Sequence, residues 1–145
     1  MILSSRSLRQ RLGVPTGNGG VVLEPYGSEC QQPASYDLRA SEEYTLERGM
    51  MTLVATMEWV ELPSDLAATL RCRSSYARRG LLISGGFVDP GFRGHLTLCL
   101  VNMGPEPVSI KAGDRVVQMI FSEVSAGDEI YNGRYQDSNG VVPAR

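Results

Sequence analysis

The sequence predicts a mainly β domain, a barrel or a sandwich, and three observations carry that expectation. Short runs of β-branched and apolar residues recur along the chain, and turn residues separate them at close intervals. One segment, His95–Asn102, alternates at first and then becomes continuously apolar, as a strand entering a core would. Many short strands with dense turn signals fit barrel or sandwich packing better than an α/β layer fold.

The elements follow in order. Met1–Leu12 reads as a short amphipathic helix with Ser4 or Ser5 as N-cap and Leu8 and Leu12 on one face. Gly13 and Pro15–Gly20 stop it. Strands are expected over Val21–Glu24, Ser35–Leu38, Met51–Trp59, Ala68–Cys72, Leu81–Ile83, His95–Asn102, Val108–Ile110 and Arg115–Phe121. Leu62–Ala67 could form one helical turn. The last segment, Tyr131–Arg145, is polar with few core-forming residues and reads as a mobile arm. It is either a solvated tail or an arm ordered by a ligand, which Arg134, Tyr135 and Arg145 would suit. The expected organisation is therefore a β domain over 1–130 and a C-terminal arm over 131–145.

Length and composition narrow the classes. The 145 residues fit one domain, and 42% hydrophobic with 21% charged residues is ordinary for a soluble globule. Fourteen basic and 16 acidic side chains give a net charge of −2, which argues against a general nucleic-acid binder. A small polyanion needs only a local cluster of donors and cations. Cys30, Cys72, Cys99 and the single His95 have no zinc-ligand spacing, so a zinc deaminase is excluded. The odd cysteine count and the lack of a leader point to a reducing cytoplasm, and no apolar run suggests a membrane span.

Three polar constellations could carry chemistry. Arg71–Gly80 places Ser74 and Ser75 among cations, which is what a phosphate oxygen needs; a solvated basic turn is the bland alternative. Ser84–Gly94 carries glycines that let backbone approach a ligand, and Asp89. That aspartate either caps a Pro-Gly turn or acts as a general base. Gly113–Phe121 leads from a turn into an apolar strand containing one amide, Gln118, which ties strands together or meets a ligand.

Taken together these segments resemble the dUTPase/dCTP deaminase superfamily over essentially the whole chain. Pro33–Arg39 looks like its first motif, Arg73–Arg78 its second, Gly86–Gly94 its third and Gly113–Phe121 its fourth. The N-terminal Met1–Ser4 and the final Arg134-Tyr135-Gln136 look like the deaminase branch, and the glycine-rich fifth dUTPase motif is absent. Such a sequence resembles the archaeal and viral dUTPases within that branch. The resemblance implies a distorted β-barrel of the dUTPase-like (β-clip) type, assembled as a homotrimer with active sites between subunits. It assigns phosphate binding to Arg73, Ser74, Ser75 and Arg78, with Gln118 reaching phosphate from a neighbouring subunit. Phe92 would lie beneath the deoxyribose and exclude a 2′-hydroxyl. Backbone at Ser84, Gly86 and Phe87 would read the pyrimidine, and Asp89 would activate water. Arg134 and Tyr135 would close over the phosphates. Mg²⁺ would be held through phosphates and water, and Asp37 would support the site structurally or through a water on the ion.

The resemblance also separates two chemistries. Zinc-free deamination calls for a carboxylate beside the ring, which in the deaminases stands ten residues after the third-motif aspartate. Here that count from Asp89 lands on Cys99, and a cysteine thiol ordinarily loses its proton only near pH ~8.5. The sequence reading therefore ranks dUTP pyrophosphatase first, giving dUMP and pyrophosphate. A dCTP deaminase or a bifunctional dCTP deaminase/dUTPase comes second, and a non-catalytic nucleotide-binding regulator third.

Overall fold

The structure is a computed structural model and describes residues 1–145. The chain folds into eleven strands and two short helices. Helix α1 spans Ser5–Arg11, with Ser4 as the N-cap: its hydroxyl accepts from the Ser7 N–H at 3.2 Å. Leu8 turns into the core, while Arg11 reaches out to bind Asp65 in the turn after β5 (Nη1–Oδ2 2.8 Å).

The strands are β1 (Val22–Glu24), β2 (Gln31–Gln32), β3 (Ser35–Arg39), β4 (Tyr44–Leu46), β5 (Met51–Glu61), β6 (Leu66–Cys72), β7 (Leu81–Ser84), β8 (Phe87–Val88), β9 (Arg93–Asn102), β10 (Val108–Ile110) and β11 (Arg115–Glu123). They form three antiparallel sheets, ordered β1-β5-β9-β7, β2-β3-β11-β6-β8 and β10-β4. The sheets are not closed into one continuous barrel, and the arrangement is the distorted, mainly β fold expected. Every strand read from the sequence is present, most of them a residue or two longer. The helical turn expected over Leu62–Ala67 does not form. Pro63–Asp65 is instead a turn, and Leu66 already begins β6, because its paired partner Glu123 extends β11 that far.

Alternation explains the core. Along β9 the residues Leu96, Leu98 and Leu100 face inward while His95, Thr97 and Cys99 face out. The inward residues join Leu38, Val54, Leu70, Val117, Met119 and Phe121 in one hydrophobic cluster between the two large sheets.

The long β5–β9 pair is interrupted by a register shift between Ala55 and Trp59. The Thr56 hydroxyl spans the irregularity, donating to the Glu58 carbonyl at 2.9 Å and accepting from the Leu96 N–H at 3.0 Å. Glu58 keeps the inward phase of Val54 and Val60 across the irregularity and is fully buried. Its carboxylate accepts from Arg39 twice, from Nε at 2.7 Å and from the backbone N–H at 3.0 Å. Burial pushes the Glu58 carboxyl up, against the opposing pull of Arg39.

Candidate functional site

The second motif folds where β6 ends. Arg73 leaves the strand in extended conformation and Ser74–Ala77 make a single helical turn, α2. That turn, Arg73 and the start of β11 enclose a polar cavity of about 410 Å³ lined by Arg73, Ser75, Tyr76, Arg79, Asp114 and Arg115, with Glu29 at its rim. Burial and the nearby Asp114 push the Tyr76 hydroxyl up.

Beneath the cavity lies Asp37, 1% exposed, at the centre of β3. Arg73 Nε stands 3.0 Å from its Oδ2 and Arg115 Nη1 3.5 Å from the same atom. Neither contact is aligned as a hydrogen bond, and both carboxylate oxygens lack a hydrogen-bond partner. Burial pushes this carboxyl up, while the two guanidiniums pull it down. Across the sheet, Asp37, Gln118 and Arg71 are in register, so their side chains share the sheet face opposite the core.

The third motif builds a second, mostly apolar pocket of about 490 Å³. Asp89, Phe92, His95, Thr97 and Cys99 line it together with Phe87, Tyr131 and Tyr135. Phe92 is buried and packs against Tyr131 with ring centroids 5.8 Å apart. Asp89 is exposed, and it is the only acidic residue lining this pocket.

The C-terminal arm forms one wall of the same pocket. Its backbone runs beside β9: His95 N–H donates to the Ser138 carbonyl at 2.8 Å, Gly140 N–H to His95 Nδ1 at 3.1 Å, and Val142 N–H to Thr97 Oγ1 at 3.0 Å. Gly94 makes this approach possible, since a Cβ there would stand 2.8 Å from Ser138 N. Arg93 clamps the arm by an ion pair with Asp137 and by its N–H to the Gln136 side chain at 2.8 Å.

The predicted site residues therefore fall into separate groups. Arg73 and Ser75 line the polar cavity. Asp89, Phe92 and Tyr135 line the apolar pocket, which shares no residue with that cavity. Ser74 and Arg78 are exposed on α2 and its C-cap, outside the cavity lining. Gly86 lines a third recess with Arg71, and its carbonyl accepts from Leu70 N–H at 2.7 Å. Ser84 ends β7, opposite Cys99. Gln118 is half-buried at mid-strand, beside Asp37. Arg134 donates to the Arg145 carbonyl at 2.6 Å and lines neither space.

Sequence reasoning left out Arg79 and Arg115 in the cavity and His95 and Thr97 in the pocket. Strand alternation alone could have found the last two, on the face of Cys99. No three His, Cys, Asp or Glu side chains converge as metal ligands. Asp37 faces the guanidiniums of Arg73 and Arg115.

Residues 40–124 match the model of the dCTP deaminase-like family. The chain is 37% identical over 138 residues to a protein of Pyrococcus horikoshii named dCTP deaminase, covering 84% of this chain and 88% of that one. It is 32% identical over 185 aligned positions to one of Thermobifida fusca named dCTP deaminase, dUMP-forming, covering 100% and 92%. The fold is also similar to that of the EIAV dUTPase, with a TM-score of 0.63 at 19% identity over 80% of this chain and 98% of that one.

These relatives overturn the ranking that put plain dUTP hydrolysis first. That ranking rested on Cys99 standing where the deaminases carry a carboxylate. The structure places Asp89 in the wall of the same pocket as Cys99, so a carboxylate remains there. With its model match and these relatives, the chain belongs to the dCTP deaminase-like family.

Proposed function

We propose that the chain is a dCTP deaminase of the dUMP-forming kind. The observation that carries this reading is the pocket holding Asp89 against Phe87, Phe92, His95, Thr97 and Cys99. It is apolar enough for a pyrimidine and a deoxyribose, and it offers one carboxylate to move protons. The name and full-length coverage of the Thermobifida fusca relative support the dUMP-forming version.

The overall reaction is dCTP + 2 H₂O → dUMP + pyrophosphate + NH₃. One water adds at ring C4, where ammonia leaves, and one at the α-phosphorus, where pyrophosphate leaves. Asp89 takes a proton from the water adding at C4 and passes it to the departing amino group, so it is a carboxylate again when it takes a proton from the water attacking phosphorus. Phe92 packs against the sugar edge and leaves no space for a 2′-hydroxyl. Arg73 and Ser75 hold phosphate oxygens through charge-assisted hydrogen bonds. Bound Mg²⁺ would be held by phosphate oxygens and water, and would offset negative charge at the phosphorus.

The polar cavity and the apolar pocket share no lining residue, which supports sites completed between copies of the chain in a homotrimer. Gln118 and the arm residues Arg134 and Tyr135 would then meet a nucleotide bound between subunits.

The test is a paired measurement of ammonia and pyrophosphate released from dCTP by the parent and by Asp89→Asn. One base serving both attacks predicts that the variant loses both products while still binding nucleotide. Ammonia release at the parental rate from the variant would overturn the assignment of Asp89.

A further inference from the structure

Two guanidiniums lean on one carboxylate beside the polar cavity. Arg73 Nε and Arg115 Nη1 both approach Asp37 Oδ2, at 3.0 and 3.5 Å. Arg115 is tethered from behind as well, donating from Nη1 to the Glu29 carbonyl at 2.7 Å. Its own backbone carbonyl accepts from Arg73 Nη1 at 3.2 Å. A register shift between Arg115 and Val117 sets Arg115 out of step with the rest of β11, which is how it comes to face Arg73 at all.

The remaining acids of the cavity are engaged elsewhere. Asp114 Oδ2 accepts from the Lys111 N–H at 2.9 Å, and Glu29 Oε1 faces Arg39 Nη1 at 3.5 Å. Asp37 is thus the buried carboxylate on which the charge balance at Arg73 turns. With a single cation beside it, that carboxylate would neutralise Arg73 and hold it away from any anion. With two cations sharing it, the pair keeps a net positive charge towards the cavity.

We infer that Arg115 is a positioning residue of the phosphate cavity: by sharing Asp37 it leaves Arg73 charge free for an anion, and its carbonyl fixes where that charge points. This inference rests on the triphosphate reading of the site and names what tunes it. Arg115 acts through Arg73, so its loss should weaken phosphate binding and spare the chemistry that follows.

The experiment measures tripolyphosphate binding by calorimetry, and kcat and KM for dCTP, in the parent, Arg115→Gln, Asp37→Asn and the double variant. Arg115→Gln should weaken tripolyphosphate about tenfold and raise KM for dCTP by a similar factor, with kcat within about twofold. Once Asp37 is neutral there is no charge left to share. The double variant should therefore bind tripolyphosphate within about twofold of Asp37→Asn alone. That comparison decides the matter even if Arg115→Gln alone does not fold. If the double variant binds about tenfold more weakly than Asp37→Asn, Arg115 is a direct phosphate ligand and the positioning role is wrong. Equal binding by the parent and Arg115→Gln would also overturn it. A parent that binds neither tripolyphosphate nor dCTP would instead sink the triphosphate reading itself.

Discussion

Arg73 Nε lies 3.0 Å from Asp37 Oδ2, yet neither oxygen of that buried carboxylate accepts a hydrogen bond. A carboxylate left in this state costs free energy, and it persists only because two guanidiniums stand beside it. Such incomplete pairing has a measurable pH signature.

Burial raises the Asp37 carboxyl above its unfolded value even against Arg73 and Arg115. A raised folded-state value means that the folded protein binds this proton more tightly than the unfolded chain does. The group's favourable contribution is therefore complete below the unfolded value and is lost as pH rises through the folded one. Asn at this position does not titrate. Denaturant unfolding of the parent and Asp37→Asn from pH ~4 to ~7 should show the variant gaining on the parent as pH rises. A constant difference, or one that moves the other way, would show that Asp37 does not carry this cost.

Glu58 and Arg39 make the complementary case of a buried pair with its hydrogen bonds made. Glu58→Ala leaves Arg39, only 13% exposed, with Glu29 as its remaining carboxylate and should cost about 3 kcal/mol of unfolding free energy. Replacing both residues with apolar side chains of similar volume should cost less than the single change. Denaturation midpoints of the parent and the two variants check this. A loss below about 1 kcal/mol for Glu58→Ala would mean that the pair contributes no more than a surface one.

Gly94 decides whether the arm can dock. Its φ of +145° and the 2.8 Å approach of Ser138 N to a notional Cβ leave no space for alanine. Gly94→Ala should release the arm, exposing the Gly140 and Val142 amides to hydrogen exchange while Leu98 and Leu100 in the same sheet stay protected. His95→Phe, which removes the acceptor for the Gly140 N–H, should expose Gly140 alone. Unchanged protection at Gly140 in both variants would mean that β9 does not hold the arm.

The strands were legible because alternation and turn residues survive in the sequence, as in His95–Asn102 and the Gly113-Asp114 turn. The features that organise the site were not, because they arise from broken register. The shift between Arg115 and Val117 brings Arg115 to Arg73. Periodicity cannot reveal an interruption of periodicity. The arm reads as mobile because its composition is polar. What holds it is backbone hydrogen bonding to His95 and Thr97 together with a missing Cβ at Gly94, and composition records neither. Motif spacing named Arg73 and Ser75, which line the polar cavity, and Asp89 and Phe92, which line the apolar pocket. It led the chemistry astray through Cys99, because counting along the chain does not show that Asp89 lines the same pocket.

A dUMP-forming deaminase consumes dCTP and releases its amino group in the course of making dUMP. The most direct test is the molar ratio of ammonia to pyrophosphate released from dCTP by the purified parent in the presence of Mg²⁺. Both products are expected in equal amounts, with dUMP as the nucleotide product. Pyrophosphate from dUTP with no ammonia from dCTP would contradict this expectation.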